Sequence, residues 1–506
     1  MTINFKKDCV TMKTTLLLCC LLVFSQQIQA QTQKKVAVIL INFENYPTTF
    51  NLTPDDARSD VFTRNDPYGY GQNSVNAYYQ EESYGKLSLT GALRPDGDVF
   101  GWYTIPNSVF SYPSTTCRSV APAAAETMAQ ADGFVRSNYD DIIYVFPSGS
   151  CGGGNAGYAS SPGIVYINLG LNGANRGFLT AALVGHELGH AFSLHHAHAI
   201  RCTDLKTGAL VPISNSCQDI NPGYGDSYGD IFDIMATGGA HQMNAYEKES
   251  QNTGSWFDPA NVQTVTTSGY YTIGPYELPA SDVKYLKIPR DTGSYWYLEF
   301  RQNYGFDQFG TDAPVTKGVS IRLAPDPTYG SVGPASALID TTPGSRDTTN
   351  DSTADVWDGA LAVGNTFTDP DYGISVTTLS VSSAGATVNV SFDPAACVLR
   401  SPSISITPSN QSAQAKSTLT YTVTVTNRNI IACPAQAYVV VPKLPSRWSQ
   451  TPGSYTVTLG YGASDTRAVA ITSSGNAKLG IYTVSEKANL SQKIYSQRDA
   501  VYSVTQ

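Results

Sequence analysis

Gly185-His-Glu-Leu-Gly-His-Ala-Phe-Ser-Leu-His-His-Ala-His198 carries five of the chain's six histidines, and the sixth is His241. Histidines placed for solubility or packing would scatter along 506 residues. Gathered in one stretch, they point to a single metal or acid/base site. His186 and His190 are four apart, so on a helix their rings leave the same face one turn apart and can reach one cation. Glu187 stands beside the first, placed to act on a water at that cation without being a ligand. Zinc held in this way keeps an open coordination position, lowers the pKa of water towards ~7 and polarises a carbonyl. The chemistry expected is hydrolysis of a peptide bond by zinc-activated water, with Glu187 as general base.

A third ligand is needed. His196 lies six residues after His190, the separation found in H-E-x-x-H-x-x-G-x-x-H, where the helix stops at the glycine and the chain turns to deliver the last histidine. Ser193 occupies that glycine position, and a serine enters the left-handed region at a cost of ~1 kcal/mol or more. His196 is the preferred third ligand, and His195 and His198 remain competitors. His241 reads as a ligand, a substrate contact or a plain loop residue.

Further along stands Tyr228-Gly-Asp-Ile-Phe-Asp-Ile-Met235. A long zinc motif followed by Asp233-Ile-Met235 resembles a metzincin with its Met-turn. Ser74-Val-Asn-Ala-Tyr-Tyr-Gln-Glu-Glu-Ser-Tyr-Gly85, Gly101-Trp-Tyr103, and His241 followed by Asn244-Ala-Tyr246 extend the likeness to the gametolysin family of secreted metallopeptidases. The resemblance covers residues 36 to 260 and, more loosely, the chain to about 394. It implies a zinc endopeptidase acting on extracellular proteins, with Met235 as a structural base beneath the metal. In some metzincins a tyrosine two residues after that methionine assists catalysis; Thr237 stands there in this chain, so the resemblance does not extend to that group.

Outward from the motif, Val36 to Phe43, Asp141 to Phe146 and Gly163 to Asn168 are continuous apolar runs, the mark of strands buried on both faces. Helical patterns fall between them at Ser74 to Ser83, Ala121 to Ala131 and Phe178 to Phe192. Such alternation predicts an α/β domain. After Trp256 the pattern becomes short alternating strands separated by Gly, Pro and Asp, an all-β signature that resumes at sandwich spacing beyond Pro402. The division expected is a signal peptide over 1–30, a metzincin-type α/β zinc peptidase domain over 31–260, a β-rich domain over 261–394 and an immunoglobulin-like β-sandwich over 395–506.

Composition bounds the partners. Only 14% of residues are charged, the net charge is -9, and no Lys/Arg-rich run exists, which argues against nucleic acid and anionic membranes. Lys6, Lys7 and Lys13, the apolar run Leu16 to Phe24, and Ile28-Gln29-Ala30 follow the order of a secretory leader. No later segment offers ~20 consecutive apolar residues for a membrane span. Of the nine cysteines, six lie beyond the leader, and an exported chain favours their pairing. Sequence neighbours give Cys117 with Cys151, Cys202 with Cys217 and Cys397 with Cys433.

The expected protein is a secreted, monomeric zinc endopeptidase whose partners are protein or peptide substrates, including extracellular-matrix or cell-surface glycoproteins. The alternative is an adhesin or matrix-binding protein with a vestigial zinc site. Asp340, Asp347, Asp351, Asp355, Asp358, Asp369 and Asp371 read first as solvated loops, and second as structural Ca2+ ligands, because extracellular calcium sites use such carboxylates. Tyr295, Trp296 and Tyr297 read as strand core before they read as a sugar platform.

Overall fold

The computed structural model describes residues 31–44, 52–66, 73–106, 114–147, 157–160, 163–169, 179–220, 222–223, 226–236, 239–280, 282–291, 293–325, 335–346 and 352–506. The leader, Phe178, Thr237, Asp347, Asp351, Cys151 and the side chain of Cys117 lie outside these residues.

The apolar run after residue 35 sits at the centre of a six-stranded sheet. Thr32–Phe43 is buried from Val36 to Phe43. It pairs in parallel with Leu87–Thr90 and Asp98–Ile105 on one side and with Asp141–Phe146 on the other. Both faces of the strand are covered, Val36, Val38 and Leu40 packing into one core and Ala37, Ile39 and Ile41 into another, and so the run does not alternate. Ile164–Asn168 continues the parallel order, and Gly157–Ser160 closes the sheet as an antiparallel edge strand. The helix Val75–Glu82 begins at Ser74, whose hydroxyl accepts from the Ala77 amide at 3.1 Å, a side-chain N-cap. Its Tyr78 and Tyr79 are buried, and the Tyr79 hydroxyl donates to the Gly185 carbonyl at 2.6 Å. That bond ties the helix to the start of the histidine motif.

The second sheet has nine strands, in the order Val262–Thr264, Tyr285–Pro289, Tyr295–Glu299, Gly318–Ala324, Ala337–Ile339, His198–Thr203, Leu210–Val211, with Leu361–Ala362 and Cys217–Asp219 paired off this path. The strand following the histidine motif therefore enters a sheet made mainly of residues beyond 260. His198, Ala199 and Ile200 pair in parallel with Ala337, Leu338 and Ile339. A third, antiparallel sheet joins Gly269–Ile273, Gly385–Phe392, Ile374–Ser382 and Thr366–Asp369.

Beyond residue 400 a four-stranded and a five-stranded sheet share one core, with Tyr421, Val423 and Val469 from the first against Tyr438, Val440 and Tyr502 from the second. Ile431 and Tyr461 reach back to the preceding β region, where the Tyr461 hydroxyl donates to the Asp291 carbonyl at 2.7 Å. The architecture is multidomain and rich in strand. Two disulfides, Cys202–Cys217 and Cys397–Cys433, match the pairing expected from sequence neighbours. Among the described residues no helix is long and apolar enough to cross a membrane.

Candidate metal centre

The motif helix starts at Thr180, whose side chain caps the Leu183 amide, and runs as a π-turn over Ala181–Gly185 into the α-helix His186–Ala191. His186 and His190 leave one face of it, with ring centroids 4.9 Å apart. The chain then turns at Ser193, which adopts φ +70°. Its amide donates to the His190 carbonyl at 2.9 Å, and the Leu194 amide to that of Gly189 at 3.0 Å. Serine thus takes the left-handed position itself. Asn252 secures it, donating from Nδ2 to Ser193 Oγ at 3.0 Å and to the Ala191 carbonyl at 3.3 Å.

This turn brings His196 back to the helix. One ring nitrogen from each of His186, His190 and His196 falls in a group no wider than 4.8 Å, and the Nε2 atoms of His190 and His196 are 3.1 Å apart. His195 and His198 are not members of this group: the ring of His198 is buried on its strand, with Nδ1 3.8 Å from Asp219 Oδ1. His241 also stands elsewhere, stacked on Phe309 at 4.6 Å with Nδ1 3.5 Å from Asp307 Oδ1.

The donor chemistry of the trio suits a metal ion. His186 Nδ1 faces the Ile234 carbonyl at 2.7 Å and His190 Nδ1 the Leu194 carbonyl at 2.9 Å. A carbonyl can only accept, so each Nδ1 carries the proton and each Nε2 presents a lone pair. Burial, followed by the neighbouring His190, pushes His186 down to about 3, which keeps it neutral near pH 7. The Nε2 lone pairs of His186 and His190 are thus presented beside the ring of His196, and neutral imidazoles held through Nδ1 by carbonyls are the usual form of zinc ligands.

Glu187 is 6% exposed, and burial raises its carboxyl to about 8. It faces the edge strand at Gly157, where any Cβ would run into its carboxylate. Met235 is fully buried beneath the helix and against Gly189, a position where a Cβ would strike its sulfur. Asp233 shapes this turn, accepting from the Met235 amide at 2.8 Å and from Asn244 at 2.7 and 2.8 Å. Its carboxyl is raised to about 6 by burial and then by Asp230, while Arg322 pulls the other way.

Sequence reasoning passed over three neighbours of the site. The Tyr228 ring lies 3.8 Å from that of His196; it stands in the quoted Met235 segment, yet spacing gave no reason to choose it. Gly157 and Asn252 carried no local signal. Of the acidic loop residues, Asp340, Asp355 and Asp358 accept from Thr342, Gly344, Ser345 and Arg346, and Asp369 from Arg290 and Trp296. Among the described residues the histidine trio is the one group of three or more His, Cys, Asp or Glu whose donor atoms converge this closely. Trp296 and Tyr297 are core.

No protein-family model matches the chain, and no curated protein matches it. Among solved structures, catalytically inactive OgpA from Akkermansia muciniphila, crystallised with an O-glycopeptide (glycodrosocin) substrate, is similar over 96% of this chain and 97% of its own, at 9% identity and a TM-score of 0.28. The chaperone DraB of E. coli is similar over 21% of this chain and 56% of its own, at 14% identity and a TM-score of 0.17. A family 123 glycoside hydrolase from Clostridium perfringens covers 21% of this chain and 27% of its own, at 11% identity and a TM-score of 0.16. Likenesses this weak carry no argument about the fold or chemistry of this chain.

Proposed function

We propose that the protein is a secreted zinc endopeptidase of metzincin type, similar to the gametolysin family, that hydrolyses peptide bonds of extracellular proteins. The observation that carries this reading is the convergence of His186, His190 and His196 beside Glu187. The three histidines would hold the ion through Nε2 or its equivalent, and Met235 would support them from below. Zinc bound there supplies Lewis acidity, polarising the scissile carbonyl and acidifying water. Burial raises the carboxyl of Glu187, and a cation beside it would restore the ionised form; that carboxylate would take the proton of the attacking water and pass it to the leaving amine, serving as base and then acid. The edge strand Gly157–Ser160 flanks Glu187 and bounds the space a substrate backbone would enter.

In this reading residues 31–260 supply the reacting groups and 261–394 the sheet that seats them. Residues 395–506 form an immunoglobulin-like module that extends reach towards polymeric substrates. The division is one of chain segments and not of packing, since the strand pairing crosses it.

The test is digestion of a denatured protein by the wild type and by Glu187→Ala, with zinc content measured on both. Removal of the general base is expected to cut the rate ~10²- to 10⁴-fold while zinc stays bound. Equal inactivity of the two zinc-loaded proteins would sink the peptidase reading in favour of a binding protein.

A further inference from the structure

Behind the turn at Met235 lies a set of charges with no exposure at all: Asp230, Glu299, Arg301, Asp307 and Arg322. Arg322 donates to both carboxylate oxygens of Asp230, at 2.6 and 3.3 Å, and to Glu299 at 2.8 Å. Arg301 donates from Nη2 to two backbone carbonyls, that of Phe232 at 3.2 Å and that of Gln242 at 2.9 Å. Its guanidinium also holds Asp307 at 2.8 and 2.6 Å, and Asp307 in turn accepts from the Gln242 amide at 2.8 Å. Glu299 accepts from the Ala245 amide at 2.6 Å.

Desolvating two guanidinium groups is expensive, and apolar side chains of similar volume commonly stabilise a core as well or better. Stability alone therefore does not explain them. Their contacts converge on the two flanks of the Met235 turn: Asp230 and Phe232 before it, Gln242 and Ala245 after it. From this turn the Ile234 carbonyl accepts from His186 at 2.7 Å, and the Met235 carbonyl from the Ala197 amide, next to His196, at 2.9 Å. A planar five-donor fork fixes both distance and direction, whereas a lysine would supply charge alone.

We infer that Arg301 and Arg322, carried by the β region beyond residue 260, are positioning residues for the histidine site, clamping the two flanks of the turn that orients His186 and His196. This rests on the metal-site reading above. Zinc affinity of the full chain is measured by competition with a chromophoric chelator, and the visible spectrum is recorded after Co2+ loading. The proteins are wild type, Arg322→Lys, Arg301→Lys and, as the control, Arg290→Lys. Arg290 forms a buried ion pair with Asp369 at 2.6 Å in the same β region, and among the described residues its contacts are to Trp296, Tyr372 and Ser294 and not to either flank of the turn. The expected result is a 10- to 100-fold loss of zinc affinity and an altered Co2+ spectrum for both clamp variants. The control keeps wild-type affinity and spectrum even where its melting temperature falls.

If neither clamp variant folds by far-UV circular dichroism, the isosteric Glu299→Gln replaces them, since Glu299 accepts from Arg301 at 3.4 Å as well as from Arg322 at 2.8 Å and its neutral amide weakens both contacts without opening a cavity. Unchanged affinity and spectrum in a folded clamp variant, or an equal loss in Arg290→Lys, overturns the inference and leaves the metal site standing. A wild type that binds no zinc overturns the metal site itself, and the clamp with it.

Discussion

Ser193 shows how much one residue's conformation decides. At φ +70° a non-glycine residue costs ~1–2 kcal/mol, and each hydrogen bond from Asn252 returns ~1 kcal/mol. Ser193→Gly relieves the strain and loses the bond to its hydroxyl, so its unfolding free energy is expected within ~1 kcal/mol of wild type. Ser193→Val keeps the strain, adds a β-branch and loses the bond, and is expected to cost ~2 kcal/mol or more. Urea denaturation distinguishes the two. Gly157 makes a second case. Gly157→Ala would push a methyl group into the Glu187 carboxylate, so peptide hydrolysis should fall at least tenfold while zinc content is retained. The sequence marks Ser193 as the departure from the motif but not how its turn is secured, and it gives no sign of Gly157, for one reason: a neighbour distant in the chain sets the cost at each, Asn252 for one and the motif helix for the other.

Among the elements, the helix His186–Ala191 and the turn at Met235 touch through Gly189, and the absence of a Cβ there sets their separation. Gly189→Ala forces the sulfur of Met235 aside; overpacking of this kind costs ~1–3 kcal/mol, and zinc affinity should fall with it. Equilibrium unfolding and chelator competition would read the two effects separately. In the C-terminal sandwich, Glu486 on Gly480–Asn489 is 1% exposed, and burial raises its carboxyl from 4.5 to about 7. The folded state therefore holds the proton more tightly than the unfolded chain. Its contribution to stability is complete below about 4.5 and is lost as pH rises through about 7. Hydrogen exchange in this strand should accelerate between pH 5 and pH 8 beyond the intrinsic chemical rate, and Glu486→Gln should flatten that dependence. The apolar runs and the alternating segments were legible as strands because period and burial are local properties. Gly157–Ser160, His198–Thr203 and Ala337–Ile339 were not, since short strands of mixed polarity owe their form to the partner they pair with.

In the molecule as a whole, the strand leaving His196 is paired with Ala337–Ile339, and Arg301 and Arg322 reach the turn at Met235. A chain ending at residue 260 loses both supports. It is expected to bind zinc at least tenfold more weakly than one ending at 394, or to fail to fold, as judged by circular dichroism and chelator competition. A chain ending at 394 should hydrolyse a soluble denatured protein as the full chain does. By itself the sequence singled out the histidine pair and the adjacent glutamate, and gave the strand-rich character beyond residue 260 and two disulfide pairings, because each follows from spacing along the chain. It left three histidines open for the third place and gave no sign that the segments before and after residue 260 share a sheet. Tertiary structure decided both. Which ring reaches the trio depends on a left-handed turn secured by Asn252, and which strands pair depends on register between residues more than a hundred positions apart.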